Sequence, residues 1–228
     1  MTNIVTITFQ STYKNSQGFA PLNERMAKCT PDTKDALMGL RGRVEAAGGA
    51  LRVSDLFRSA AAQNEAHKNK PTLSPPAGQS WHETGRAFDI DLNALKPLTL
   101  AEFWLLARGV GVTPIIPQPN AGAAEAWHFE RRGSHAIIAG RLGNRAGVES
   151  ALLAIGLHVM RIGTRQVEAR IQAGLHRLGA DPGRLDGAIG PKTRAALEYA
   201  GFPEWRNAEL MAHEVDDRLR EQFPEEHA

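Results

Sequence analysis

The chain has 228 residues, of which 42% are hydrophobic and 23% charged, and its formal net charge is +2. These values are ordinary for globular domains and exclude a disordered, collagen-like or coiled-coil chain. No apolar run approaches the ~20 residues that a membrane-spanning helix needs, and neither half carries the clustered basic patch typical of a nucleic-acid-binding protein.

The amino-terminal segment, M-T-N-I-V-T-I-T-F-Q, predicts a short strand because Val5, Ile7 and Phe9 alternate with polar residues. It lacks the basic start, the long apolar stretch and the cleavage site of a secretion signal. We therefore expect synthesis in the cytoplasm without a cleaved signal peptide, and any target outside the cell would be reached by lysis or dedicated secretion. The single cysteine, Cys29, excludes an internal disulfide and is interpreted as an inert thiol.

Helical and strand-like patterns alternate in the first 143 residues. The Pro- and Gly-rich loop over 71–79 is predicted to be the most mobile stretch, and the strand over 87–92 is predicted to be half-buried because its apolar residues alternate. This mixture predicts an α+β domain over residues 1–143, with a small antiparallel sheet and flanking helices. In chain order, the patterns predict helices over 30–47, 59–68 and 99–107 and strands over 51–57, 87–92, 113–116 and 126–130.

From about Gly147 the pattern becomes helical only. Val167, Ile171, Leu175 and Leu178 form one apolar stripe at helical spacing. Further helices are predicted to begin at Pro191 and near Pro203. Residues 144–228 are therefore predicted to form an all-α, three-helix domain.

Two short motifs carry the chemistry: S-W-H-E-T-G-R-A-F-D begins at Ser80, and E-A-W-H ends at His128. His82, Asp89 and His128 supply two imidazoles and one carboxylate, a ligand set that suits catalytic zinc with an open fourth position. The fixed residues of the first motif are expected by chance in on the order of one chain in ten thousand of this length, so coincidence is a poor explanation.

Glu125 lies three residues before His128, which on an extended strand would place the two side chains on opposite faces. We expect the chain to bend at or just before Ala126, so that Glu125 can act as general base toward a water molecule at the metal. Asp91 shares a strand face with Asp89, and it either orients a metal-binding imidazole or is a solvated carboxylate at the strand end. Trp81 and Trp127 either wall the cleft or only pack.

The motif pair resembles the zinc peptidases of the LAS group, which includes VanY-type D-Ala-D-Ala carboxypeptidases and phage L-alanyl-D-glutamate endolysins. The resemblance covers about residues 37–139. It implies that His82, Asp89 and His128 bind zinc and that Glu125 is the catalytic base. A long Ala-, Gly- and Pro-rich loop before Glu125 departs from the family pattern and could reshape the substrate cleft.

The same family has an arginine followed five residues later by glutamine, which is matched here by F-R-S-A-A-A-Q. By resemblance, Arg58 binds the substrate carbonyl and stabilises the oxyanion. Gln63 and Ser80 either contact the substrate or make structural hydrogen bonds.

The helical segment is similar to the peptidoglycan-binding domain of many wall hydrolases. A domain that only packs or dimerises is the alternative. The matching positions are Leu178-Gly179, Asp186-Gly187, Gly190, Pro191, Thr193 and Ala196.

The resemblances together predict a zinc-dependent peptidoglycan peptidase of the endolysin or antibacterial effector type, which cuts L-Ala-D-Glu or D,D bonds. The alternatives are a D-Ala-D-Ala carboxypeptidase and a catalytically inactive, metal-dependent wall-binding module. Peptidoglycan is the expected partner; nucleic acid and membrane insertion are not expected, and no oligomer is indicated.

Overall fold

A computed structural model describes residues 1–202 and 205–227, which divide between two units. One unit is Ile4–Arg132, and the other contains the described residues from Gly133 onward together with Met1–Asn3. The division falls eleven residues before the boundary predicted between residues 143 and 144. In the described part of the chain, no helix combines the length and the apolar character needed to cross a membrane.

Short strands and three α-helices make up the unit Ile4–Arg132, all of whose residues the structure describes. The first predicted strand is shorter than expected, and a hairpin of two polar strands follows it that the sequence pattern did not indicate. The strands are β1 (Val5–Thr6), β2 (Gln10–Asn15), β3 (Gly18–Pro21), β4 (Lys28–Cys29), β5 (Val53–Asp55), β6 (Ala87–Ile90), β7 (Thr113–Pro114) and β8 (His128–Glu130). The helices are α1 (Pro31–Ala46), α2 (Ala60–Asn69) and α3 (Leu100–Arg108).

Six of these strands form one sheet in the order β3-β2-β5-β6-β8-β7, and β1 pairs separately with β4. The α+β class is confirmed, but the sheet is mixed rather than wholly antiparallel. Ser11 of β2 lies opposite Val53 of β5 in a parallel pair, whereas the other pairings are antiparallel. The physical reason is the crossover through α1, which returns the chain to the sheet in its original direction.

Helix α1 packs its apolar face into the core of this unit. Thr30 precedes the helix in an extended conformation and Pro31 occupies its first turn, as the sequence predicts. Leu37, Leu40 and Val44, spaced three and four residues apart, are fully buried. They belong to the same core as the aromatic side chains of the sheet, so α1 fixes the sheet from one side.

Strand β6 is buried on both faces, although its alternation predicted a half-buried strand. All four of its residues are buried. Phe88 and Ile90 enter the apolar core, and Phe88 stacks on Phe129 of β8 at 6.2 Å. The opposite face carries Asp89, which points into a buried polar cluster instead of into solvent. The polar alternation therefore marks a site and not an exposed face.

The second unit is built from α-helices in the residues that the structure describes. The predicted start of the last helix near Pro203 lies outside the described residues, and the helix that is described there begins at Ala208. Ile171, Leu175, Met211 and Val215 are fully buried at the centre of this unit. The helices are α4 (His135–Leu142), α5 (Asn144–Ala154), α6 (Gln166–Arg177), α7 (Pro191–Tyr199) and α8 (Ala208–Gln222). The described residues from 144 onward thus contain four α-helices, whereas the sequence predicted three, because the segment that becomes α5 shows no distinct apolar stripe.

A short 3₁₀ turn after α8 is tied into this unit by a buried carboxylate. Glu226 is fully buried and accepts hydrogen bonds from the backbone amide of Ser134 at 2.6 Å and from Arg177 at 2.7 Å. The next residue, His227, is partly buried. That burial, together with the positive charge of Arg177, lowers the pKa of His227 to about 4.

Acid is therefore expected to destabilise the protein through His227. Arg177 and the amino terminus oppose protonation of this ring, whereas Glu226 and Asp216 favour it less strongly. Because the folded-state pKa lies below the ordinary value of 6.5, the unfolded chain binds the proton more readily as the pH falls through that value. The loss should be negligible near neutral pH and grow as the pH falls from 6.5 toward about 4. Thermal unfolding checks this: wild type should lose more stability on acidification than His227→Gln, and equal losses would contradict it.

Candidate active site

The first motif forms a 3₁₀ turn over Trp81–Thr84 with a complete capping box. The Ser80 hydroxyl accepts a hydrogen bond from the backbone amide of His82 at 3.3 Å. In return, the Glu83 carboxylate accepts hydrogen bonds from the amides of Ser80 at 3.3 Å and Gly78 at 2.8 Å. The cap fixes the backbone on which His82 is mounted.

Gly85 ends this turn and directs the chain into β6. Its φ is 68°, and a Cβ at this position would lie 2.9 Å from the Cα of Cys29. Only glycine combines this left-handed conformation with so close an approach. The turn brings His82 to the strand that carries Asp89, seven residues later.

Three side chains converge on one buried point. His128 lies directly opposite Asp89 in the β6–β8 register, and its Nδ1 is 2.9 Å from Asp89 Oδ1. His82 Nε2 lies 3.4 Å from the same oxygen. The ligand atoms of His82, Asp89 and His128 all lie within 4.8 Å of one another, and the three side chains are buried. The cluster predicted from sequence is thus assembled in space.

The donor set fits a divalent metal ion. His82 Nδ1 is held at 2.8 Å by the carbonyl oxygen of Leu56, while its Nε2 is buried, faces the cluster and lacks a hydrogen-bond partner. A buried imidazole nitrogen without a partner is costly unless something else satisfies it. Two imidazole nitrogens and one carboxylate oxygen match the ligand preferences of a catalytic zinc site, with room left for a further ligand.

The charges in the cluster are strongly coupled. Burial alone would raise the pKa of Asp89, but the adjacent His82 and His128 hold it well below its usual range. Burial would lower the pKa of His128, yet hydrogen bonds to Asp89 and Glu130 raise it to about 9. Without a metal, Asp89 and His128 therefore form an ion pair. A metal ion must displace a proton from His128 in order to bind.

Glu125 lies at a sharp turn of the chain immediately before β8. Its φ is 64°, the left-handed conformation that residues other than glycine rarely adopt, so the expected bend does occur here. Burial and the negative charge of Asp89 raise the pKa of Glu125, while His128, His82 and Arg58 lower it. The carboxylate is thus coupled electrostatically to the whole cluster, and its pKa is shifted toward neutrality.

Arg58 lies beside the Asp89 carboxylate and is held by three hydrogen bonds. Its Nε donates to Asp55 Oδ2 at 2.5 Å, Nη1 donates to Gln63 Oε1 at 3.2 Å, and Nη2 donates to Asp89 Oδ2 at 3.4 Å. A guanidinium has five N–H donors, so two remain for another acceptor. Its orientation is set before any substrate arrives.

Gln63 is fully buried, and every polar position of its amide is engaged. The oxygen accepts from Arg58, and the nitrogen donates to Ser74 Oγ at 2.9 Å and to the Pro75 carbonyl at 2.6 Å. This arrangement favours the structural alternative for Gln63 over a substrate contact.

The loop 71–79, predicted to be mobile, is tied down by neighbouring side chains. In addition to the Gln63 bonds, His67 Nδ1 lies 2.6 Å from the Ser74 carbonyl, and Asn64 accepts from the amide of Ala77 at 3.2 Å. These contacts come from α2, and Glu83 holds the far end of the loop at Gly78. These bonds restrain the loop over residues 74–78.

Replacing Gln63 by alanine is expected to loosen the loop 71–79. Loss of the amide leaves the polar groups of the loop without partners, which costs about 1–3 kcal/mol of unfolding free energy. Hydrogen exchange of peptides covering 71–79 should accelerate in Gln63→Ala and stay unchanged in Gln118→Ala, an exposed glutamine of another loop. Unchanged exchange in both variants would mean that Gln63 does not hold the loop.

The other candidate residues occupy distinct positions. The Ser80 hydroxyl serves the cap described above. Trp81 is almost fully buried under Arg132, whose guanidinium carbon lies 5.4 Å from the ring centroid, and Trp127 is partly exposed. Asp91 does not orient an imidazole, because its carboxylate accepts from the amide of Asn93 at 2.9 Å and caps a 3₁₀ turn.

The sequence interpretation missed Glu130, which contacts His128 of the candidate metal cluster. Its Oε1 lies 3.3 Å from His128 Nε2. The signal was available: residues 128 and 130 are two apart in a strand and therefore share a face.

Comparisons with known proteins give little beyond this geometry. No protein-family model matches the sequence, and no curated protein matches it. Among solved structures, the chain is similar to one described as "Structure of the LdcB LD-carboxypeptidase reveals the molecular basis of peptidoglycan recognition". The two share 16% sequence identity with a TM-score of 0.45, and the match covers 64% of this chain and 77% of that chain. At this level of similarity, function has to be argued from the site itself.

Proposed function

We propose that this chain is a zinc-dependent peptidase that cuts peptide bonds in the stems or cross-links of bacterial peptidoglycan. The observation that carries the proposal is the convergence of His82, Asp89 and His128 on one buried point, with Glu125 on the adjoining turn and Arg58 beside Asp89. Three protein ligands with an open position and a nearby carboxylate are the arrangement of a hydrolytic metal site. The wall as substrate is supported by the paired motifs.

Each residue has a role that follows from its surroundings. When bound, zinc supplies a Lewis acid that polarises a carbonyl oxygen and acidifies a water ligand. Glu125, with its raised pKa, accepts a proton from the attacking water and returns it to the leaving amine. Arg58 directs its two remaining N–H groups at the oxygen on which negative charge develops.

The mode of cleavage that we propose is endopeptidase action on L-Ala-D-Glu or D,D bonds, as in a lysin or an antibacterial effector. Removal of a terminal D-Ala is the competing reaction. The substrate cleft would include the fixed loop 71–79 and the loop that precedes Glu125.

We propose further that the helical unit binds the wall through a groove of about 550 Å³ beside the start of α7. The motif turn at Asp186-Gly187, beside this groove, is held by hydrogen bonds and close packing. Buried Gln172 accepts from the amides of Asp186 and Gly187, and a Cβ on Gly187 would lie 2.5 Å from the Cβ of Arg165. The exposed charged side chains at the groove are Asp181, Arg184, Asp186 and Lys192, and the two basic groups suit the carboxylates of a stem peptide.

Mass spectrometry of fragments released from purified sacculi tests the peptidase. Zinc-loaded wild type should release peptides with new amino termini, whereas chelated protein and His128→Ala should release none. New termini on D-Glu or split cross-links identify an endopeptidase, and loss of only terminal D-Ala identifies a carboxypeptidase. A wild type that binds sacculi but releases nothing would instead be a wall-binding module.

Neutralising the groove is expected to weaken wall binding without affecting the metal site. The double variant Arg184→Gln/Lys192→Gln should pellet with sacculi several-fold less than wild type at low salt, and the difference should shrink as salt screens the charges. A double variant of exposed basic residues elsewhere, Arg25→Gln/Lys34→Gln, is the charge-matched control. Equal pelleting of all three proteins would remove the groove from the proposal.

A further inference from the structure

Strand β8 and the residues just after it carry a row of polar side chains on one face. His128, Glu130 and Arg132 are two residues apart, and Glu130 joins the other two. Its Oε1 lies 3.3 Å from His128 Nε2, and its Oε2 accepts from Arg132 Nε at 2.5 Å. Glu130 is buried, with 5% of its surface exposed. A buried carboxylate with both oxygens engaged is held in one orientation.

That orientation bears on which nitrogen of His128 can bind a metal. An ionised carboxylate only accepts hydrogen bonds, so a neutral His128 that bonds to Glu130 must carry its proton on Nε2. The lone pair is then on Nδ1, the atom that lies 2.9 Å from Asp89 Oδ1. Without such a partner, the imidazole would be free to change tautomer or rotate.

We infer that Glu130 is a positioning residue that sets the tautomer and the ring orientation of His128 for metal binding through Nδ1. The inference rests on the proposed metal site but not on which bond the protein cleaves. His82 is arranged in the opposite sense, because the Leu56 carbonyl holds its Nδ1 and leaves Nε2 facing the cluster. The two histidines thus ligate through different nitrogens, each fixed by its own acceptor.

Arg132 supports this arrangement from the other side. Its ion pair with Glu130 balances the buried negative charge, and its guanidinium lies over the ring of Trp81 at 5.4 Å. Removing Arg132 leaves the Glu130–His128 hydrogen bond in place but less constrained, so its loss should matter less than the loss of Glu130.

The test is metal affinity in the absence of substrate, measured by competition with a chromophoric zinc chelator. Glu130→Ala should weaken zinc binding about 10- to 100-fold, as is typical when the hydrogen-bond partner of a metal-ligating histidine is removed. Arg132→Gln should weaken it less. Asp91→Asn, which alters the acidic residue that caps the 3₁₀ turn after β6, should bind zinc like wild type. Glu130→Leu keeps most of the side-chain volume and cannot accept a hydrogen bond, so the same loss of zinc affinity is expected from it should the alanine variant fail to fold.

A second readout separates positioning from a general effect on the fold. Long-range ¹H–¹⁵N correlation spectra of the imidazole rings in the zinc-loaded protein report which nitrogen carries the proton. Wild type should show His128 protonated at Nε2 and His82 at Nδ1, and Glu130→Ala should lose the slowly exchanging His128 proton. Unchanged zinc affinity in Glu130→Ala, or ligation of His128 through Nε2, would overturn the inference, as would a wild type that binds no zinc at this site. Intact metal binding without hydrolysis would overturn only the proposed function.

Discussion

Glu125→Gln is expected to lower hydrolysis of peptidoglycan peptides by about 10²- to 10⁴-fold while zinc still binds. The amide keeps the size of the side chain and its position on the turn before β8. It cannot accept a proton from water or deliver one to the leaving amine, so the barrier to bond cleavage rises without loss of the metal ligands. Turnover of a soluble stem peptide at saturating zinc measures the effect.

The controls for this experiment come from the same unit. Glu65→Gln changes an exposed carboxylate on α2 and should retain full activity. Zinc affinity measured on Glu125→Gln must match that of wild type for the loss to be assigned to proton transfer. A variant that keeps more than about a tenth of wild-type activity would show that another group moves the proton.

Asp32→Ala is expected to reduce the unfolding free energy by about 3–5 kcal/mol, because it breaks a buried ion pair. Asp32 and Arg86 each expose only 1% of their side chains, and Arg86 Nη1 donates to Asp32 Oδ2 at 2.7 Å. The other carboxylate oxygen accepts from the Thr30 hydroxyl at 2.7 Å. Removing the carboxylate leaves a buried guanidinium with a weaker set of partners.

Chemical denaturation followed by circular dichroism measures this loss. Asp35→Ala, an exposed acidic residue on the same helix, should change stability by less than about 0.5 kcal/mol. A similar small effect for Asp32→Ala would mean that Arg86 finds adequate compensation elsewhere. Since Arg86 directly follows Gly85 and precedes β6, the destabilised variant is also expected to bind zinc more weakly.

The cluster of His82, Asp89 and His128 could be predicted because local chain geometry and side-chain chemistry agree there. His82 and Asp89 lie within ten residues around a glycine, and His128 comes from the next strand of the sheet. What could not be predicted depends on non-local burial. Asp91 and Glu130 each lie two residues after a member of the cluster, so the two-residue period of a strand predicts equally well that either could hydrogen-bond to a histidine. Only the packed structure shows that Asp91 caps a turn and that Glu130 contacts His128.

The sheet illustrates the same limit. Antiparallel hairpins can be inferred from short strands and tight turns, whereas the parallel pairing of Ser11 with Val53 joins segments about forty residues apart. The hairpin over Gln10–Pro21 gives little apolar signal, because its strands are mostly exposed. Helices whose N-termini carry clear capping residues, such as α1 and α3, could be predicted from the sequence.

The anchoring of loop 71–79 has a consequence for the kinetics of binding. A cleft wall already held by Gln63, His67 and Glu83 has little conformational entropy to lose when a peptide docks. No closing step of this loop would then precede chemistry, and the association rate should follow diffusion and be sensitive to solvent viscosity instead of to a slow gating motion. Affinity for different stem peptides would be decided by the fit of each peptide to a preorganised surface.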